Sequence, residues 1–203
     1  EGAPLGSIIG TSWLRDASGN IVIGNDGFPI KNNQLKVLAS PIPDFTVKFG
    51  QQFSYKKLKL NIDWEWRKGG KIWNGTQAAL DYYGRSQISG DERNIKNYVF
   101  QGVNLSGNVN TVPVDFYDDF QNVALNRWTR YGIDGVTEDY LEDGDFVRIS
   151  NISLSTWFEV PDYINKLTVS AYVNNLFLWK KYSGVDPQQS FYQLDNGQGL
   201  DFF

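Results

Sequence analysis

Two runs of alternating apolar and polar residues lie between residues 45 and 67, separated only by Lys56 and Lys57. A period of two is typical of a β-strand that has one apolar and one polar face. Because two residues are the shortest common hairpin connection, we expect Tyr55 to pair with Leu58 and each further pair to follow by stepping outward. The pattern therefore predicts one long β-hairpin whose apolar residues share a single face.

The predicted hairpin strands are long for a soluble protein. At about 3.3 Å per residue and a tilt near 45°, each strand covers roughly 25 Å of hydrocarbon, whereas a typical strand has about five or six residues. On the polar face Lys48 lies opposite Glu65, and facing opposite charges stabilise a sheet by about 0.2 to 1 kcal/mol. Gln51 is the one polar residue on the apolar face, and we expect a neighbouring side chain to cover it or a bulge to displace it.

A second pair of alternating runs spans residues 151–158 and 167–173. Apolar residues just before Ser150 are out of phase with the first of these runs, which predicts a bulge near Ser150. Residues 159–166, which include Pro161, provide a short turn between the two runs. The chain is thus expected to contain two long hairpins with short connections at one end.

The connections at the other end are much longer. Residues 68–145 show no clear amphipathic helix or long strand, and residues 178–203 are again loop-like. Short turns on one side and long loops on the other are typical of an outer-membrane barrel and uncommon in a compact soluble domain. Trp64 and Trp66 lie where a strand leaves toward the long loop, the position of an interfacial aromatic girdle. The predicted fold is therefore an all-β, antiparallel transmembrane β-barrel segment with long extracellular loops.

The amino-acid composition excludes most kinds of catalytic site. The 203 residues include no Cys, His or Met, which excludes disulfides, thiol nucleophiles, imidazole bases and zinc sites of the usual type. Lys and Arg number 19 against 23 Asp and Glu, so there is no basic surplus to attract nucleic acid. No window approaches the run of about 18 apolar residues that a transmembrane helix needs. We expect no enzyme, no cofactor and no metal, and interpret the adjacent carboxylates as solvated or loop-bracing groups: Asp118-Asp119, Glu138-Asp139 and Glu142-Asp143.

Several short stretches of the chain, taken together in their order and spacing, form a pattern that is typical of one protein family. They are residues 1–6, 16–23, 27–30, 43–45, 69–76, 142–149, 175–179 and 181–187. With these fragments the chain resembles the C-terminal barrel region of SusC/RagA-type TonB-dependent outer-membrane transporters, and the resemblance covers nearly the whole chain.

The resemblance implies a fold and a function. It implies a barrel of about 22 strands with an internal plug, located in the outer membrane of a Bacteroidetes-type bacterium. It implies import of glycans or peptides, a SusD-like lipoprotein lid as partner, and energy from the TonB system acting through the plug. Residues 1–203 would be a C-terminal part of that barrel, with residues 68–145 as an extracellular loop. We expect the plug and the closing strand to lie outside this fragment, since residues 199–203 are too short and irregular for that strand.

The predicted register indicates which side chains face lipid and which face the barrel lumen. The side chains expected to face lipid are Phe45, Val47, Phe49, Phe53, Tyr55, Leu58, Leu60, Ile62, Trp64, Trp66, Leu167, Val169 and Val173. Those expected to face the lumen are Lys48, Asp63, Glu65 and Arg67. An open sheet with unpaired edges is not tolerated in lipid, so the remaining strands must come from the rest of the same polypeptide.

Aromatic residues of the long loop are the candidate substrate contacts, because a ring offers a large contact area at low entropic cost. They are Trp73, Tyr82, Tyr83, Trp128 and Tyr131, with Tyr98 as a further candidate. The alternative for these rings is packing of the loop against itself or against the lid.

Two other functions stay open at this point. One is a structural accessory subunit of a larger outer-membrane assembly that has lost transport while keeping the same fold. The other is a secreted carbohydrate-binding β-sandwich, because alternation alone does not separate a lipid-facing surface from a buried core. Lipid against the apolar face of the first hairpin would indicate a membrane barrel. Other side chains packed against that face would indicate the core of a sandwich.

Overall fold

The computed structural model describes residues 3–4, 6–117, 122–160 and 164–188. Strands dominate the described part of the chain: β1 (Ile8–Trp13), β2 (Val22–Ile23), β3 (Lys31–Ala39), β4 (Phe45–Tyr55), β5 (Leu58–Lys68), β6 (Lys71–Trp73), β7 (Val103–Asn104), β8 (Leu141–Asp143), β9 (Phe146–Val160) and β10 (Ile164–Lys180). The short helices are α1 (Gly75–Tyr82) and α2 (Gln87–Asp91), with 3-10 turns at Val123–Leu125 and Thr137–Tyr140. None of the helices in these described ranges has the length and apolar character needed to cross a membrane.

The chain divides into two compact units. The first, called the sheet unit, contains residues 42–71 and the described residues between 143 and 183. The second, called the loop unit, contains the described residues of 1–41, 72–142 and 184–188.

The sheet unit is a four-stranded antiparallel sheet in the order β10-β9-β5-β4. The first hairpin has the predicted register, with Tyr55 opposite Leu58 and Lys48 opposite Glu65. The Lys48 ammonium lies 3.5 Å from the Glu65 carboxylate. The two hairpins join through β5 and β9, so the all-β antiparallel prediction is confirmed.

A bulge lies at Ser150, as predicted. Asp63 and Trp64 are consecutive on β5, but they pair with Asn151 and Ile149 of β9, which leaves Ser150 as an extra residue. The expectation for Gln51 was wrong, because β4 and β5 pair without a register shift and Gln51 is exposed.

The second hairpin is longer than predicted. β9 has 15 residues and β10 has 17, so both continue through positions that the sequence assigned to the turn at 159–166 or to the loop after 178. The register shifts on β10, between Ile164 and Leu167 and between Asn174 and Phe177, interrupt the alternation and hide this continuity. Pro161 lies outside the described residues.

The two faces of the sheet differ as the register requires. Of the thirteen side chains predicted to face lipid, three are half-buried (Leu60, Ile62 and Trp64) and the rest are exposed. The neighbouring strands continue the same apolar face with Val147, Ile149, Ile152, Leu154, Phe158, Ala171, Phe177 and Trp179. Exposed side chains do not form the interior of a sandwich, so the sandwich alternative loses its main support. The opposite face carries Lys48, Asp63, Glu65 and Arg67, together with Arg148 opposite Glu65.

The loop unit corrects the prediction that residues 68–145 lack structure. Most of this stretch folds together with the N-terminal residues into one unit. Its small sheets pair β1 with β3 antiparallel and β2 with β7 parallel, and a further two-stranded sheet pairs β6 with β8. Phe28, Val114 and Phe116 form its buried cluster, flanked by Ile95 and Phe100. The elements that lie within residues 69–145 have at most eight residues each, which is too short to give a clear periodic signal in the sequence.

Candidate functional site

The start of α1 is fixed by Asn74, which is buried. The Asn74 side-chain oxygen accepts a hydrogen bond from the Gln77 backbone N–H at 3.0 Å, satisfying one of the free donors at a helix start. Its amide nitrogen donates to the Glu142 carboxylate at 2.8 Å. This anchored helix ends at Tyr82, so it places Tyr82 and Tyr83 at a defined position in the loop unit.

Asp81, on the last turn of α1, is 3% exposed and has both carboxylate oxygens occupied. One oxygen accepts from the Gln77 side-chain amide at 2.7 Å, and the other accepts from the Tyr140 hydroxyl at 2.9 Å. Burial raises the pKa of Tyr140, and the neighbouring Asp81 carboxylate raises it further. The Tyr140 hydroxyl therefore stays protonated and keeps donating to Asp81.

A small cleft of about 150 Å³ opens beside this helix end. Three predicted aromatic residues, Tyr82, Tyr83 and Trp128, line it together, although Trp128 is distant in sequence. Tyr82 and Tyr83 meet edge to face with ring centroids 5.2 Å apart, and the Arg127 guanidinium lies 4.7 Å from the Trp128 ring centroid. The other lining residues, which the sequence did not single out, are Asp81, Gly84, Ser89, Arg93, Phe116, Tyr117, Val123, Asn126 and Thr129.

Some polar groups of the cleft are bonded to the protein. The Ser89 hydroxyl donates to the Ser86 carbonyl at 3.0 Å, and the Thr129 hydroxyl donates to the Val123 carbonyl. Both oxygens of Asp81 are used as described above. The cleft therefore combines aromatic rings with polar groups that have no hydrogen-bond partner among the described residues: the phenols of Tyr82, Tyr83 and Tyr117, the Arg93 guanidinium and the buried indole N–H of Trp128.

The other predicted aromatics lie elsewhere in the loop unit. The Trp73 ring packs on Gly75, where an added Cβ would lie 2.7 Å from the indole. Tyr131 packs edge to face on Trp13 at 4.9 Å and donates its hydroxyl to the Pro29 carbonyl at 2.8 Å. Burial raises the pKa of Tyr131 to about 12. Tyr98 packs edge to face on Phe116, with ring centroids 5.1 Å apart. These contacts match the alternative of packing within the loop.

A second, more polar cleft of about 540 Å³ lies on the same unit. Arg130 pairs there with the Asp26 carboxylate, and its guanidinium lies 3.7 Å from the Phe28 ring centroid. No pattern in the sequence marks this site, because Asp26 and Arg130 are 104 positions apart.

The adjacent carboxylates have structural partners. Glu138 pairs with Arg15 at 2.5 Å, and Asp139 accepts from the Trp13 indole N–H at 2.7 Å. Burial raises the pKa of Asp139, while the hydrogen bond from Trp13 opposes that rise. Asp118 and Asp119 lie outside the described residues.

Asp143 and Asp145 belong to an ion-pair cluster at the ends of the long strands. Asp145 accepts from Lys68 at 2.5 Å and from the Gly69 backbone N–H at 2.7 Å, while Lys181 lies within 3.3 Å of both carboxylates. Lys71 completes the cluster with a 2.7 Å contact to Asp143. These bonds lower the pKa of Asp145 and of Asp143, and they raise the pKa of Lys181. Within the described ranges, no three acidic side chains converge as metal ligands.

Comparisons with known proteins agree with the fold and the sequence pattern. No family model matches the chain. TonB-dependent receptor P3 of Formosa agariphila is 28% identical over 200 residues, covering 92% of this chain and 18% of that receptor. TonB-dependent receptor P26 of the same organism is 24% identical over 201 residues, covering 90% of this chain and 16% of that receptor. The chain thus spans less than a fifth of these curated relatives.

A solved structure shares the fold. The RagAB peptide importer in its 'open-open' state superposes with a TM-score of 0.52 at 16% sequence identity, covering 89% of this chain and 19% of that chain. At this identity the likeness concerns the fold alone. The relatives and this shared fold confirm the resemblance found in the sequence: the chain is similar to a barrel segment of a SusC/RagA-type TonB-dependent transporter.

Proposed function

We propose that this chain is part of a TonB-dependent transporter of the bacterial outer membrane, and that the sheet unit is a section of its barrel wall. One observation carries the proposal: a sheet with long strands has one continuous apolar face whose side chains are largely exposed, and one polar face. In water such an apolar face is costly, whereas acyl chains accept it.

An aromatic cluster on the apolar face supports this placement. Phe45 meets Trp66 edge to face at 5.0 Å, and Trp64 stacks near Phe49 and Trp179 at 5.9 Å and 6.4 Å. Aromatic rings are enriched where a membrane protein passes the lipid headgroups. The cluster would mark the outer interface, with the Lys56-Lys57 turn at the periplasmic end.

The rest of the transporter would supply the remaining functions. A SusD-like lipoprotein is the proposed lid, and the TonB system would act through a plug encoded outside this chain. The substrate is a glycan or a peptide, and the loop unit would contribute to the extracellular chamber that receives it. This proposal is supported by two relatives that are named TonB-dependent receptors, and by the fold that the chain shares with a peptide importer. No cofactor is needed for this role.

Spin labels at neighbouring positions of β4 test the barrel wall. The described chain has no cysteine, so Phe53→Cys on the apolar face and Ser54→Cys on the polar face are a matched pair in the full-length receptor, after replacement of any cysteines elsewhere. In lipid vesicles we expect the label at 53 to collide with oxygen and the label at 54 with a water-soluble nickel complex. Equal access of the nickel complex to both labels would contradict the proposal.

A further inference from the structure

The polar face of the sheet carries a basic cluster at its short-turn end. Lys57, Lys59, Trp157 and Lys166 form it and are called the lysine–tryptophan cluster. We infer that this cluster binds an acidic segment of the same polypeptide that lies outside residues 1–203. The inference rests on the proposed function, because in a barrel wall the polar face is turned toward the rest of the polypeptide.

Trp157 holds two lysine ammonium groups on the polar face. Its register places it there, since it pairs with Thr168 while its neighbour Phe158 lies on the apolar face. The Lys57 ammonium lies 4.5 Å from the Trp157 ring centroid, and the Lys166 ammonium lies 5.1 Å from it. An indole face attracts cations. One ring thus keeps two positive charges close together.

Lys59 adds a third positive charge to this face. It pairs with Ser54 of β4 and with Ser155 of β9, and Ser155 is two residues from Trp157 on the same face. None of the three lysines of the cluster has a hydrogen bond or ion pair to another residue of the described ranges. Among those residues, Glu159 is the one carboxylate at this end of the polar face, and it forms no ion pair with the cluster. The cluster therefore lacks a counter-charge within the described chain.

The charges farther along the polar face differ in this respect. The Lys48 ammonium lies 3.5 Å from the Glu65 carboxylate, and Asp63 accepts a hydrogen bond from the Asn151 amide at 3.0 Å. Three like charges without partners repel one another. Carboxylates placed against them would remove this repulsion and form charge-assisted hydrogen bonds. The chemistry that fits the cluster is therefore an acidic segment.

The two lysines of the turn lie over opposite faces of the hairpin, which favours a protein partner over a lipid headgroup. The Lys56 ammonium lies 5.3 Å from the ring centroid of Tyr55, a residue of the apolar face. An anionic headgroup would meet Lys56 first, whereas Lys57 lies on the face turned away from lipid. The chain spans only 18% and 16% of its two curated relatives. A polypeptide of that length has ample sequence outside these residues to supply the acidic segment.

Zero-length cross-linking of the full-length receptor in lipid vesicles tests this inference. A carbodiimide joins a carboxylate to a lysine amine where the two groups are in contact, and mass spectrometry identifies the joined residues. Lys56 is the internal control, because it is adjacent to Lys57, is also exposed and lies over the other face. We expect cross-links from Lys57, Lys59 or Lys166 to an Asp or Glu outside residues 1–203, at least tenfold more abundant than those from Lys56.

Removal of the charges gives a second readout. In a variant that combines Lys57→Gln with Lys166→Gln, the cross-linked segment should exchange its amide hydrogens at least threefold faster. Lys57→Arg combined with Lys166→Arg keeps both charges and should leave the exchange unchanged, and so should Lys56→Gln. Equal exchange in the Gln and Arg variants would show that the charges do not hold the segment.

Three further outcomes would overturn the inference. One is the absence of cross-links from the cluster, or their restriction to carboxylates within residues 1–203. Another is equal cross-linking from Lys56. The third is protection of the cluster lysines from acetylation in vesicles with one third anionic phospholipid but not in zwitterionic vesicles, which would assign the cluster to lipid headgroups. The spin-label experiment on β4 reports separately on the barrel wall, so a failure here with the expected label accessibility there rejects the acidic partner alone.

Discussion

The two units of this chain are stabilised in different ways. The sheet unit keeps regular pairing over long strands and leaves its apolar residues at the surface. The loop unit has short elements and buries a compact cluster around Phe28 and Phe116, held further by side-chain bonds between distant positions. The contrast indicates that the sheet depends on its surroundings for stability, whereas the loop unit carries its own core.

The largest effect is expected inside the loop unit. Phe28→Ala removes a buried ring from the cluster with Val114 and Phe116, and a Phe→Ala change in a core costs about 3–5 kcal/mol. Hydrogen exchange on the full-length receptor should show faster exchange in the loop unit, with the sheet unit unchanged. Leu105→Ala, at an exposed position, serves as the control and should change stability by less than about 0.5 kcal/mol. Faster exchange spread equally over both units would remove the contrast between them.

The second-largest effect is expected from a charge introduced on the apolar face of the sheet. Val173 lies level with Ile152 and Ile62 near the middle of the strands. Val173→Arg should destabilise the membrane-inserted receptor by about 2–4 kcal/mol, the cost of Arg at the bilayer midplane. Tyr172→Arg, one residue away on the polar face, should have a much smaller effect. The free energies of unfolding of both variants in lipid vesicles check this, and equal losses would speak against lipid on one face.

Removing the helix cap should have a smaller, local effect. Asn74→Ala deletes the acceptor for the Gln77 N–H and the bond to Glu142. The loss of such a cap costs about 1 kcal/mol. Exchange of the α1 amides should speed up while β4 and β5 are unaffected. Ser86→Ala, which removes the corresponding cap of α2, should loosen α2 instead.

The smallest effect on stability is expected from lowering the pH. The pKa of Asp145 is lowered in the folded protein by its bonds to Lys68 and Gly69, so the contribution of this carboxylate is present above its ordinary pKa near 4 and disappears as the pH falls through the lowered value. Exchange of the Gly69 amide, corrected for the intrinsic pH dependence, should therefore lose protection only below about pH 4. In Asp145→Asn this corrected protection should be flat over the same range. A loss of protection near pH 6 would assign the effect to another group.

The part of the fold that could be predicted is the part governed by neighbours in sequence. Alternation and the Lys56-Lys57 turn were enough to predict the register of β4 and β5, and a change of phase located the bulge at Ser150. The lengths of β9 and β10 were underestimated, because their register shifts break the alternation that marks a strand.

The candidate site was only partly predictable for a related reason. Tyr82 and Tyr83 are adjacent, but their meeting with Trp128 depends on how the loop unit folds. Tyr131 is an aromatic residue of the same kind, yet its hydroxyl is used by the Pro29 carbonyl, a contact between residues 102 positions apart. Composition identifies rings that suit a ligand, but long-range packing decides which of them remain available.

The bulge at Ser150 also sets the tolerance of β9 to changes in length. Because successive side chains of a strand point to opposite faces, a shift by one residue inverts all that follow. Deletion of Ser150 would make Ile149 and Asn151 consecutive opposite the consecutive Trp64 and Asp63, so the bulge would disappear while Val147, Arg148 and Ile149 kept their faces. A one-residue deletion elsewhere in β9 would invert the side chains beyond it, so Ser150 is a position at which this strand should tolerate the loss of a single residue.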